Sequence, residues 1–129
     1  MYFLLVEDSR NTRNLLKNYL NQIDIGHSRR DYVEADSGES ALIKLRSQRV
    51  DFILLDWYLS TSMTGLEVLK EIRKDEKLKH LPIIMVTSES DKISVVEAMK
   101  HGANDFVVKP IDEKSFKEKV LKVIASSLA

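Results

Sequence analysis

No cysteine occurs in this chain of 129 residues, which excludes a disulfide framework and a thiolate metal site. Long hydrophobic runs are missing as well, and none approaches the roughly 20 residues that a membrane-spanning helix requires. The amino-terminal Met1-Tyr2-Phe3-Leu4-Leu5-Val6 lacks the basic region of a secretory signal, and Glu7-Asp8 interrupts it. Net charge is absent: 20 basic and 20 acidic residues cancel, so no global positive field draws the chain to nucleic acid or to a membrane surface. There is no low-complexity stretch and no interdomain linker, and His27, His80 and His101 have no mutual spacing that suggests metal ligation. These absences, with 43% hydrophobic and 31% charged residues, lead to the expectation of one globular cytoplasmic domain over residues 1–129.

What is present is a recurring pattern of short apolar runs with polar ends. Phe3-Leu4-Leu5-Val6 ends in Glu7-Asp8, Phe52-Ile53-Leu54-Leu55 in Asp56, Ile83-Ile84-Met85-Val86 in Thr87, and Phe106-Val107-Val108 in Lys109-Pro110. Such runs read as buried parallel strands. In open α/β sheets, ligands bind beyond the carboxyl ends of the strands. If the four runs are parallel neighbours, three carboxylates, a hydroxyl and an ammonium converge at one sheet edge.

Segments with helical spacing lie between the runs. Leu15, Leu16, Tyr19, Leu20 and Ile23 predict a helix over roughly residues 10–23. Asp36 and Glu39 have capping-box spacing before Ala41, Leu42 and Leu45, which leaves Tyr32–Ala35 as a short strand. Gly65 precedes Leu66, Leu69 and Ile72. Ser90 precedes Ile93, Val96 and Met99, with Gly102 as a stop, and Asp112 precedes Phe116, Val120, Val123 and Ile124. Five strand-helix units imply an α/β fold with a parallel sheet covered on both faces. Strand order is not readable from the pattern.

The acids suit a magnesium-assisted phosphoryl site, because Mg2+ takes hard oxygen ligands and keeps several waters. Asp8 and Asp56 are the best direct ligands, and Glu7 acts directly or through water. Lys109 is placed to pair with an anion held there. The bland alternatives are that Asp8 caps the first helix, that Lys109 is a solvated surface charge and that Thr87 is a turn residue.

In the order Glu7-Asp8, Asp56, Thr87-Ser88, Phe106 and Lys109-Pro110, the chain resembles the receiver domain of bacterial two-component response regulators, in its free-standing form like the chemotaxis regulator. The resemblance spans essentially the whole chain. It implies a flavodoxin-like, doubly wound five-stranded sheet of order 2-1-3-4-5 flanked by five helices, and a signalling protein rather than an enzyme. It also implies that Asp56 accepts a phosphoryl group from a phosphohistidine. Mg2+ would be held by Asp8, Asp56 and the Tyr58 carbonyl, with Glu7 assisting. Thr87 and Lys109 would contact the phosphoryl oxygens, Thr87 and Phe106 would form the switch, and Lys109-Pro110 would be cis. Implied partners are a sensor histidine kinase or histidine phosphotransfer protein, and a separate output protein such as a flagellar motor component.

Several positions depart from the family pattern. Asp56 to Gly65 lacks the usual proline and is one residue longer, and Asn21 to Asp31 is also extended. By the resemblance, Tyr58, two beyond the acceptor, overlooks the phosphoryl group, and together with Glu89, two beyond Thr87, it would slow attack by water. Within the class, a chemotaxis-type regulator competes with a phosphorelay intermediate that passes its phosphate on. From other classes, a haloacid-dehalogenase-type phosphatase would need a second acid where Tyr58 stands. A flavin protein would need a phosphate-cradling loop where Glu7-Asp8 stands.

Overall fold

The computed structural model describes residues 1–26, 29–59, 63–88 and 92–127. Five strands alternate with five helices: β1 Tyr2–Val6, α1 Arg10–Leu20, β2 Asp31–Ala35, α2 Gly38–Ser47, β3 Phe52–Asp56, α3 Gly65–Lys74, β4 Ile83–Thr87, α4 Lys92–Lys100, β5 Asp105–Val108 and α5 Glu113–Ser127. All pairings are parallel, and the order is β2-β1-β3-β4-β5. The chain therefore has the flavodoxin-like architecture.

Side-chain alternation divides the sheet into two apolar faces. Leu4, Val6, Ile53, Leu55, Ile83 and Met85 pack beneath α2, α3 and α4, against residues such as Ala41, Leu69 and Ala98. Phe3, Leu5, Phe52, Leu54, Ile84, Val86 and Val107 pack beneath α1 and α5, against Leu16, Leu20, Phe116 and Val120. The central strands β3 and β4 are buried at every position, which is why both read as unbroken apolar runs.

Helix ends differ from the sequence expectation in specific places. Helix α1 stops at Leu20 because its last turn tightens: the Gln22 and Ile23 amides donate to the Tyr19 and Leu20 carbonyls. Ile23 is still buried, one turn beyond the helix. Ser37 rather than Asp36 caps α2, its extended backbone letting the hydroxyl accept from the Ser40 amide. Thr64 caps α3 in a reciprocal capping box with Glu67. Asp112 accepts from the Ser115 amide at the start of α5, and Gly102 (φ +98°) follows α4.

Helix α4 differs from α3 in orientation. Ile93, Val96 and Met99, the spaced apolar residues that mark it in the sequence, are exposed (77%, 62% and 44%), whereas Ser94 and Ala98 are buried. The apolar period is real, but it faces outward. Ser90, expected to start this helix, lies outside the described residues, as do His27, Glu89 and Ser60 to Ser62. No helix among the described residues is long and apolar enough to cross a membrane.

Candidate functional site

Strand register brings the acids together. Val6 pairs with Ala35 on one side and Leu55 on the other, so the next residues, Glu7 and Asp56, stand level on adjacent strands. The Glu7 amide donates to the Ala35 carbonyl at 3.0 Å and prolongs the ladder by one residue. Glu7 and Asp56 are buried, whereas Asp8 is exposed. One carboxylate oxygen from each of Glu7, Asp8 and Asp56 lies within 4.8 Å of the other two. Ser9, not Asp8, caps α1 through its hydroxyl to the Thr12 amide. Asp8 is thus a member of the acidic group and not the helix cap.

Lys109 reaches this group from β5. Its Nζ is 3.0 Å from Glu7 Oε2 and 3.2 Å from Asp56 Oδ2. The following Lys109-Pro110 peptide is cis, and the Lys109 amide donates to the Thr87 carbonyl at 2.7 Å. Burial pulls the Lys109 pKa down, but its bonds to Glu7 and the charge of Asp56 outweigh it, so the net shift is upward. Burial, then a hydrogen bond shared with Asp56, pushes the Glu7 carboxyl up to about 7 against the pull of Lys109. One ammonium does not neutralise the acids crowded here.

The remaining Asp56 oxygen, Oδ1, accepts from the Tyr58 amide at 3.2 Å. The backbone behind it is held by the Trp57 amide on the Val86 carbonyl (2.8 Å) and the Gly65 amide on the Trp57 carbonyl (3.0 Å). A Cβ on Gly65 would lie 2.1 Å from the Asp56 carbonyl oxygen, so only glycine lets α3 start against the tip of β3.

Thr87 ends the neighbouring strand, 2% exposed, and its buried hydroxyl has no hydrogen-bond partner among the described residues. Buried polar atoms are nearly always paired, so such an orphan marks a place for a ligand oxygen. Phe106 sits apart from the acids, half-buried against the α2–α4 face. Lys119 Nζ lies 4.4 Å from its ring centroid and donates to its carbonyl at 2.6 Å. Tyr58 contributes its amide to the site while its side chain is 54% exposed.

The structure therefore gathers Glu7, Asp8, Asp56 and Lys109, with the Tyr58 backbone, at one strand edge. Hard oxygen donors at this spacing fit a small divalent cation. Sequence reasoning missed Thr64 and the close approach at Gly65. The Thr64-x-x-Glu67 spacing was a readable signal for the first.

The sequence profile of the response regulator receiver domain matches residues 3–121. The chain is 41% identical over 123 residues to the chemotaxis protein CheY of Pseudomonas aeruginosa, covering 95% of each. It is similar in structure to the chemotaxis response regulator CheY4 of Vibrio cholerae (TM-score 0.81, 28% identity, 95% of this chain and 97% of that one). It is also similar to the Mn2+-bound form of the response regulator Rcp1 (TM-score 0.78, 25% identity, 96% and 91% covered). With fold, strand-edge acids and these relatives in agreement, the chain belongs to the response regulator receiver domain family, the signalling modules of two-component systems.

Proposed function

We propose that the chain, as a single receiver domain over residues 1–129, is a phosphorylation-dependent switch with Asp56 as its phosphoacceptor. The observation that carries this reading is the tip of β3, where the Asp56 carboxylate meets Lys109 and stands near two further acids, with the orphan Thr87 hydroxyl at the end of the neighbouring strand β4. An Asp56 oxygen attacks the phosphorus of a phosphohistidine, the P–N bond breaks, and its electron pair leaves with the imidazole nitrogen. The product is an acyl phosphate on Asp56. Phosphoryl transfer demands positioning and charge neutralisation more than covalent machinery.

Each residue has a part in that positioning. The Tyr58 amide orients Asp56 through Oδ1. Lys109, held in a half-buried position between Glu7 and Asp56, offers positive charge to the transferred group. The Thr87 hydroxyl donates to a phosphoryl oxygen and thereby gains the partner it lacks. Glu7, Asp8, Asp56 and the Tyr58 carbonyl would hold Mg2+, which supplies charge neutralisation when bound. The Mn2+-bound relative supports a divalent ion here.

Donors are a sensor histidine kinase or a histidine phosphotransfer protein. Output passes to a separate protein, chemotaxis-type and of the flagellar-motor class, an assignment supported by the chemotaxis relative. The outward Ile93, Val96 and Met99 stripe of α4 is the apolar surface for it.

The test is acetyl phosphate with Mg2+, read by intact mass and by fluorescence of Trp57, next to the acceptor. Wild type gains one phosphoryl mass and changes emission, and Asp56→Asn does neither. Phosphorylation that persists in Asp56→Asn would move the acceptor elsewhere.

A further inference from the structure

Arg13, one turn into α1, touches the acidic group without belonging to it. Its Nη1 donates to the Glu7 carbonyl at 2.7 Å, and its Nε bonds Glu34 Oε1 on β2 at 3.0 Å. Glu34 is anchored a second time by Lys17 Nζ at 3.1 Å. The guanidinium is largely buried, its side chain 16% exposed. A peptide unit is planar, so holding the Glu7 carbonyl also fixes the Asp8 amide and the direction in which Asp8 leaves the strand. The rigid guanidinium fork serves both acceptors at once, which a lysine head cannot do. Nothing else among the described contacts ties the Glu7-Asp8 peptide plane to α1 and β2 together. We infer that Arg13 is a positioning residue: anchored on Glu34, it orients the Glu7-Asp8 peptide so that Asp8 joins Glu7 and Asp56, and it thereby sets the affinity for the divalent cation.

This inference rests on the divalent site proposed above, and the test separates the two. Mg2+ is titrated into metal-free protein, followed by Trp57 fluorescence, and melting temperature is recorded with and without Mg2+. Arg13→Gln is expected to bind Mg2+ roughly tenfold more weakly, the scale on which residues supporting metal ligands act. It should also gain less in melting temperature on adding the ion. Lys17→Gln, which removes the other Glu34 bond on the same helix, is expected to leave Mg2+ affinity unchanged. Arg13→Lys gives a partial loss of about threefold and serves if Arg13→Gln does not fold. Equal affinities in wild type and Arg13→Gln, or an equal loss in Lys17→Gln, overturn the positioning role and leave the divalent site standing. Wild type that binds no Mg2+ overturns both.

Discussion

Two residues beside Asp56 act through backbone geometry and exposure. Gly65→Ala sets a methyl 2.1 Å from the Asp56 carbonyl oxygen, against backbone that cannot rotate away. Either β3 or the start of α3 must shift, and we expect a loss of about 2–4 kcal/mol, measured by the urea midpoint. Mg2+ affinity should fall with it, because the same backbone carries Asp56. Tyr58 is large, half-exposed and two residues beyond the acceptor. If its ring overlooks the acyl phosphate, as the family resemblance implies, Tyr58→Asn should shorten the lifetime of the phosphorylated state several-fold. An unchanged dephosphorylation rate would remove Tyr58 from that role.

Helices α3 and α4 show how an element's period can be legible while its orientation is not. The apolar stripe of α3 faces the core, with Leu69 and Ile72 fully buried and Leu66 packed against them in part. Ile93, Val96 and Met99 have the same spacing, yet the small residues Ser94 and Ala98 face inward and let α4 lie close to the sheet. Periodicity reports that a face is apolar, not which body covers it. Val96→Lys should therefore leave the unfolding free energy within about 0.5 kcal/mol of wild type, whereas Ala98→Lys buries an unpaired charge and should unfold the domain. Equal effects in urea denaturation would contradict this placement. Phosphorylation of Val96→Lys by acetyl phosphate should be normal, since the acids lie on other elements.

Across the whole molecule, the cost of crowding acids appears as a pH dependence. Glu7 titrates near 4.5 when unperturbed and at about 7 when folded, so between these values the folded chain binds the extra proton. Stability of the metal-free protein then falls as pH rises from about 4.5 to about 7 and levels off above it. The other resolved shifts act outside that window. Glu34 is lowered, burial opposing but the Lys17 and Arg13 contacts prevailing, so its stabilisation is lost only as pH falls through the acid range. Lys109 is raised, so its contribution is lost only in strong alkali. Mg2+ should reverse the trend, because it requires ionised carboxylates and gains affinity as pH rises through about 7. Melting temperatures at pH 5.5 and pH 8, with and without Mg2+, check both signs. A metal-free protein more stable at pH 8 than at pH 5.5 would contradict the burial of a protonated Glu7.

The sequence by itself determined the α/β class and the polar ends of the strands, because buried parallel strands need unbroken apolar runs and Glu7, Asp8, Asp56, Thr87 and Lys109 end them. It also carried the family's ordered residues, which implied the strand order that periodicity alone leaves open. Only the tertiary structure decided the rest. Parallel register set Glu7 level with Asp56, and packing turned the α4 stripe outward. The Gly65 approach and the Arg13 bridge from the Glu7 carbonyl to Glu34 are contacts with backbone or between distant elements. A linear pattern records which face a residue prefers, whereas such contacts exist only once strands and helices have closed around a common core.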